Sequence, residues 1–372
     1  VFYCSKCMYN TNLDDFDSVK WWIEMKKRIG FTKIGFCNNS IQNHQKYTDL
    51  FESYKDFVEL DQFNCLPNFY DNSKKYFMSY SEFSKLNNGL AYHIFDSVFI
   101  FFMNECYWNN IDKYKYVSVM DRDEIVFPRS LKLKKNSDIR DYIARSNDFT
   151  INTIFNDLEC ENEENSMQKY LDKLSVQIKR RGNSSFYFKN GVKFPNDLFE
   201  VMFDSIELYF NSSPRKRDQK HTIEVVDSEK SKGKFKITIS NEAEFNYTLK
   251  LLELNRNVIK PYFESIKNKV NINKYNSFYT ISGSSVHWIF GKTIHNTNRS
   301  LATEIHFNTK QIDSSTLKII QGRDVTAVDD NLAHLSHFKN SLRMKSIPAS
   351  QILPDLNYLN CYFRPAIKNF LN

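Results

Sequence analysis

Apolar positions in the first third of the chain recur at helical intervals, give way to short strand-like runs, and then repeat that switch. Between Asp14 and Gly30 the residues Val19, Trp22, Ile23 and Ile29 share a helical stripe, and Gly30 stands where such a helix would end. Phe31 to Cys37 predicts a strand, and Asn38-Asn39-Ser40 a turn. Gln45 to Lys55 predicts a second helix, Phe57 to Leu60 a second strand, and Glu82 to Trp108 a long helix. In Lys113 to Met120, the residues Tyr114, Tyr116, Val117 and Val119 suit a buried strand. Helix and strand alternating through short connections predict an α/β fold, with a mostly parallel sheet covered on both faces.

The pattern changes after Glu159. Glu161 to Glu164 and Asp227 to Lys234 are polar and charged, and the stretch 159–270 reads as an insertion within one domain covering 1–372. A short strand over Lys234 to Ser240 closes the polar part. Helical segments follow over Glu242 to Val270, with Leu249, Leu252, Ile259, Phe263 and Ile266 as their apolar positions. From Tyr279 onward strand-like pieces return at Val286 to Phe290, Ile305 to Phe307, Leu317 to Ile320 and Asn331 to Phe338. No internal repeat and no heptad pattern is visible.

Composition narrows the function classes. Lys and Arg total 51 against 44 Asp and Glu, a net charge of +7 that is mild for 372 residues and argues against a nucleic-acid binder. The basic clusters Lys179-Arg180-Arg181 and Arg215-Lys216-Arg217 read as solvated loop charges. No apolar run is long enough to span a bilayer. The chain opens on Val1, which suits a piece of a longer protein whose signal or anchor lies outside it. Seven cysteines leave at least one free or paired outside the chain. The Cys4-x-x-Cys7 pair has no second pair or nearby His to complete a zinc site. The cysteines fit a reduced cytosolic protein or a lumenal one with a few bridges. The 32 Phe and 21 Tyr suit a sugar-stacking surface, but compositional bias accounts for them more simply.

The candidate chemistry lies in Asp121-Arg122-Asp123-Glu124, directly after the strand ending at Met120. Ligands of open parallel sheets bind beyond the carboxyl ends of strands, near a topological switch. Two Asp at i and i+2 held there can offer oxygen ligands to a divalent cation that also grips a diphosphate. Asp15-Phe16-Asp17 repeats the spacing, but it stands at a predicted helix start, where Asp is a cap.

The runs Asn104-Glu105-Cys106-Tyr107-Trp108-Asn109-Asn110, Tyr114-Lys115-Tyr116-Val117 and Asp121 to Pro128 resemble the core signature of the family 92 glycosyltransferases. Trp22-Ile23-Glu24 with Gly30-Phe31-Thr32-Lys33 is similar to that family's opening helix and turn. Gly291-Lys292-Thr293-Ile294, Ile305-His306-Phe307 and His337-Phe338-Lys339 resemble its later elements, in the same order. The likeness covers about 14–130 and 285–345 and finds no counterpart for 159–270. Arg122 fills a slot that is usually apolar, Lys339 replaces an Arg, and Glu105 an Asp.

The resemblance implies a GT-A-like fold and a Mn²⁺-dependent, inverting transfer, typically of galactose from UDP-galactose to a sugar hydroxyl. The implied metal ligands are Asp121, Asp123 and the late His337. Asp121, Arg122 and Lys292 would meet the nucleotide-sugar, Arg122 because guanidinium matches phosphate oxygens and Lys292 through the diphosphate or ribose. A surface role suits Lys292 nearly as well. His306 is read as a second contact or a packed side chain. His334, three residues from His337, would face the other side of a strand. Asp329 and Asp330 are ordinary turn acids, and the catalytic base is not identifiable. The implied acceptor is a glycan on a glycoprotein or glycolipid, and the implied setting is the Golgi lumen, behind a type II anchor outside this chain. A catalytically degenerate glycan-binding relative is the alternative that Arg122 motivates. A metal-dependent nuclease or phosphotransferase is disfavoured, since no Gly-rich phosphate loop is present.

Overall fold

A computed structural model describes residues 1–5, 16–37, 45–61, 70–71, 76–77, 103–129, 131–132, 139–156, 158–160, 167–177, 185–188, 190–193, 196–212, 219–226, 234–266, 269, 278–281, 292–303, 308–312, 319–321, 325–328, 332–338 and 346–371. The chain divides into two compact units. The first comprises 1–125, 164–189 and 288–333, and the second 126–163, 190–287 and 334–372.

The first unit is built on a seven-stranded sheet. Its strands in chain order are β1 (Phe2–Ser5), β2 (Lys33–Cys37), β3 (Val58–Asp61), β4 (Tyr116–Met120), β5 (Ser185–Phe188), β6 (Lys292–Asn296) and β7 (Val325–Ala327). The spatial order is β7-β5-β6-β4-β1-β2-β3. β1 pairs in parallel with β2 and β4, β2 with β3, and β5 with β7, while β6 runs antiparallel between β4 and β5. The α/β architecture with a mostly parallel sheet is therefore as the alternation predicts.

Alternation along β1 explains the two covered faces. Tyr3 meets Trp22 of the helix Phe16–Ile29 at 5.3 Å between ring centroids, and Trp22 continues to Phe36 of β2 at 4.8 Å. On the other face Phe2 and Cys4 pack with Met103, Cys106, Tyr107, Val117 and Val119. Gly35 is required by this packing, since a Cβ there would meet the Phe2 ring at 2.9 Å. The helix Phe16–Ile29 ends at Gly30, which takes φ 91°. Gly30 N donates to Lys27 O and Phe31 N to Lys26 O, the paired bonds of a Schellman cap. A disulfide joins Cys4 to Cys106 across 102 residues of chain.

The predicted elements shift at their ends: the strands begin at Lys33, Val58 and Tyr116, and the second helix stops at Ser53. Of the long helix, Met103 to Trp108 is helical and the rest lies outside the described residues. The stretches 286–290 and 305–307 also lie outside them, as do the basic clusters 179–181 and 215–217. The polar stretch 159–270 is not one block. Residues 164–189 belong to the first unit and supply β5, a fully buried Ser-Phe-Tyr-Phe run, and the helix Met167–Gln177.

A five-stranded sheet whose residues are mostly those of the second unit has the order Ile352–Pro354, Tyr279–Ile281, Asn190–Lys193, Ala333–Phe338, Glu124–Pro128. The strand predicted over Lys234 to Ser240 is present as Lys234–Ile239, and it forms an antiparallel hairpin with His221–Val226 and a parallel pair with Ser346–Pro348. The helix Glu242–Leu254 follows the predicted helical character and runs on through a π-turn at Asn255–Ile259, whereas the helix Asn196–Ser212 lies in the stretch read only as polar. Lys193 is fully buried against Asp355 at 3.0 Å and lies 3.5 Å from the Tyr358 ring centroid. A second disulfide joins Cys160 to Cys361. Among the described residues no helix is long and apolar enough to cross a membrane.

Candidate functional site

The acidic tetrad lies in the first unit at the carboxyl end of β4. β1 ends beside it, with Ser5 opposite Met120, and the antiparallel β6 starts at the same edge. Asp121 to Glu124 forms a tight turn closed by the bond from Glu124 N to Asp121 O at 3.1 Å. A second bond runs the other way, from Asp121 N to Glu124 Oε2 at 3.1 Å. Tyr3 Oη donates to Asp121 O at 2.8 Å, so the turn is tied to the middle of β1.

Two lysines converge on this turn. Lys292, 1% exposed, makes ion pairs with Asp121 Oδ2 at 3.3 Å and Glu124 Oε2 at 3.1 Å. Burial alone would lower its pKa, but the Asp121 and Glu124 carboxylates outweigh that and hold it above its ordinary value. Glu124 is itself 2% exposed, whereas Asp121 keeps 26% of its side chain open. Lys26 is fully buried and donates to Glu124 O at 3.1 Å. Its ammonium sits over Tyr3 at 3.8 Å, with Phe31 and Trp22 at 5.3 and 5.5 Å. Burial lowers its pKa well below the ordinary value, and Glu124 only partly offsets this.

The predicted residues thus divide. Asp121, Arg122, Asp123 and Lys292 come together at one turn, with Arg122 and Asp123 half-buried at its centre. Lys292 is buried rather than on the surface. His337 is half-buried in the strand Ala333–Phe338 of the second unit, in register with Val192. His334 lies on the same strand. His306, Asp329, Asp330 and Lys339 lie outside the described residues. Among the described residues no three His, Cys, Asp or Glu side chains stand together as a metal site. The turn's own carboxylates are hard oxygen donors, and they suit Mg²⁺ or Mn²⁺ in the mode where one or two carboxylates bind and water or a substrate phosphate completes the shell.

The helix-end motif has a structural task. Asn104 Nδ2 donates to Thr303 O at 2.7 Å and Asn104 Oδ1 accepts from Thr303 N at 2.8 Å. Tyr107 Oη donates to Ser300 O at 2.6 Å and Trp108 Nε1 to Leu301 O at 2.8 Å. One helical turn thereby grips the strand Ser300–Thr303. Thr303 Oγ1 continues to His295 Nε2 at 2.8 Å, and His295 Nδ1 meets Ser185 Oγ at 2.8 Å. Burial pushes His295 down to about 3, so it is a neutral ring pinning β6, the strand that carries Lys292.

Sequence reasoning assigned no role to Lys26, Tyr3 or Glu124. A signal for Lys26 is present: 19, 22, 23 and 26 continue one apolar helical stripe, and the last of these is a lysine. A charged residue on such a stripe needs a buried partner. No family model matches the chain, and no curated protein is similar enough to match it.

Proposed function

We propose that this chain is a GT-A-like nucleotide-sugar glycosyltransferase. It would move a hexose, galactose by the family resemblance, from a UDP-sugar to a hydroxyl of a glycan on a glycoprotein or glycolipid, with inversion. The observation that carries the reading is the position of the Asp121–Glu124 turn, at the carboxyl end of the strand between parallel β1 and antiparallel β6. In open α/β sheets that is where ligands bind.

Asp121 and Asp123 would hold a divalent ion such as Mn²⁺; His337, the further ligand that the resemblance names, belongs to the second unit. When bound, the ion supplies positive charge for a departing diphosphate. Arg122 would add a guanidinium for the same phosphates. Tyr3 and Lys26 hold the turn's carbonyls, keeping the carboxylates at the strand tip rather than in a mobile loop. Two disulfides among the described residues support an oxidising compartment, in line with the Golgi lumen.

The test is UDP release by purified protein given UDP-hexoses and glycan acceptors, with Mn²⁺ and with EDTA. Release that prefers one donor and stops with EDTA is the expected result. Silence toward every UDP-sugar, with glycan binding retained, would favour the second reading, a catalytically degenerate glycan-binding relative. Arg122 between the two acids is the observation that favours that reading.

A further inference from the structure

The acidic turn already contains a cation. Lys292 Nζ lies 3.3 Å from Asp121 Oδ2 and 3.1 Å from Glu124 Oε2, on a residue only 1% exposed. The three acids and one arginine of the motif carry two net negative charges, and Lys292 reduces them to one. The ammonium cannot swing away freely. β6 is fixed on one side by pairing to β4 and on the other by pairing to β5, and the His295 network sits three residues along the same strand.

We infer that Lys292 is the built-in counter-cation of this turn, and that a divalent ion reaching Asp121 competes with it. The inference rests on the proposed site and deepens it, by stating how its affinity for a divalent ion is set. Three consequences follow from charge and geometry. The turn keeps its shape without a metal, because Lys292 bridges two carboxylates that would otherwise repel one another. A divalent ion at Asp121 must share that carboxylate with an ammonium a few ångströms away, so like-charge repulsion weakens its binding. The substrate diphosphate then becomes a larger share of the ion's shell, and the ion enters most readily together with the nucleotide-sugar.

The test measures Mn²⁺ itself, by calorimetry and by the loss of free-ion EPR signal, on the whole chain without nucleotide. Lys292→Gln removes the charge and keeps a polar side chain one atom shorter. Mn²⁺ should bind this variant at least about tenfold more tightly than the wild type. Lys292→Arg keeps the charge and should leave the affinity within about twofold. A Lys292→Gln protein that melts cooperatively but binds Mn²⁺ no better than wild type would overturn the inference. If that variant does not fold, Lys292→Met, similar in length and apolar, takes its place under the same criterion. UDP release is not read in these experiments, so a failed transfer assay leaves this result standing, and a failed competition leaves the transfer reading to its own assay.

Discussion

Lys26 donates to the backbone carbonyl of Glu124 at 3.1 Å while resting 3.8 Å from the centroid of the Tyr3 ring, and Tyr3 in turn donates to Asp121 O. A buried lysine and a buried tyrosine therefore hold the two ends of the acidic turn from beneath. Burial depresses Lys26 well below its ordinary 10.5. Between its folded value and 10.5 the unfolded chain binds the proton and the folded chain does not, so this group makes stability rise with pH across that window. Lys26→Met keeps the stem and removes the titrating group. Urea unfolding at about pH 7 and about pH 10 should show wild type gaining on the variant as pH rises. Parallel stabilities at the two pH values would remove the claim that Lys26 is buried with a depressed pKa.

Acid should act through a different residue. His295 is fully buried, bonded to Ser185, Thr293 and Thr303, and pushed down to about 3 by burial. Its unfolded value is near 6.5, so as pH falls below 6.5 the unfolded chain takes up a proton that the folded chain refuses. Stability is lost over that window, by up to the order of 4 kcal/mol at about pH 3. His295→Gln should be less stable at neutral pH but should lose less between about pH 6.5 and about pH 4. An equal loss in both proteins would mean that His295 is not the acid-sensitive group.

The strands Lys33–Cys37, Val58–Asp61 and Tyr116–Met120 were legible because their information is local, whereas β1, too short to show a pattern, was not. Val19, Trp22 and Ile23 mark one helix face, Gly30 takes the one positive φ the cap needs, and Tyr116 to Met120 is a continuous buried run. The acidic turn was legible for the same reason, since Asp at its first position and its place after a strand are both sequence features. Its wiring was not. Lys292 finds Asp121 across 171 residues, and no spacing rule predicts a partner that far away. The strand Ser185–Phe188 was hidden for a related reason. Its pairing with β6 is set by tertiary contacts, while the polar residues around it give the stretch an outward-facing composition. Lys26 lay between these cases, readable as a charge on an apolar stripe but not as the support of a turn.

The Cys4–Cys106 bridge anchors β1 to the helix whose Asn104 and Tyr107 hold the strand Ser300–Thr303. Its closed loop is about a hundred residues, which predicts on the order of 4–5 kcal/mol of stabilisation, chiefly by restricting the unfolded chain. The Cys4→Ala/Cys106→Ala double variant should unfold at a markedly lower urea midpoint, with a slope no shallower than wild type because its denatured chain is less compact. Peptide mapping of the untreated protein should recover the two cysteines in one disulfide-linked fragment. Recovery of Cys4 linked to another cysteine would remove this assignment.

Asp121 and Asp123 stand two residues apart on one turn, and their variants test it in different ways. Asp121 pairs with a buried lysine, so its removal leaves Lys292 with only Glu124 and costs stability. With a quarter of its side chain open, the cost should be on the order of 1–2 kcal/mol, below the range for a fully buried pair. Asp123 is half-buried at the turn's centre. Asp123→Ala should reduce UDP release by at least about a hundredfold if it serves as a ligand, in a protein that still melts cooperatively. Asp121→Asn keeps the size of the side chain and a hydrogen-bond acceptor for Lys292, so it separates charge from shape. It should melt closer to wild type than Asp121→Ala and still lose UDP release. Undiminished release by a folded Asp123→Ala protein would take the site away from this turn, whatever Asp121 does. The pair of variants thus tells a turn that organises the fold from one that also meets a substrate.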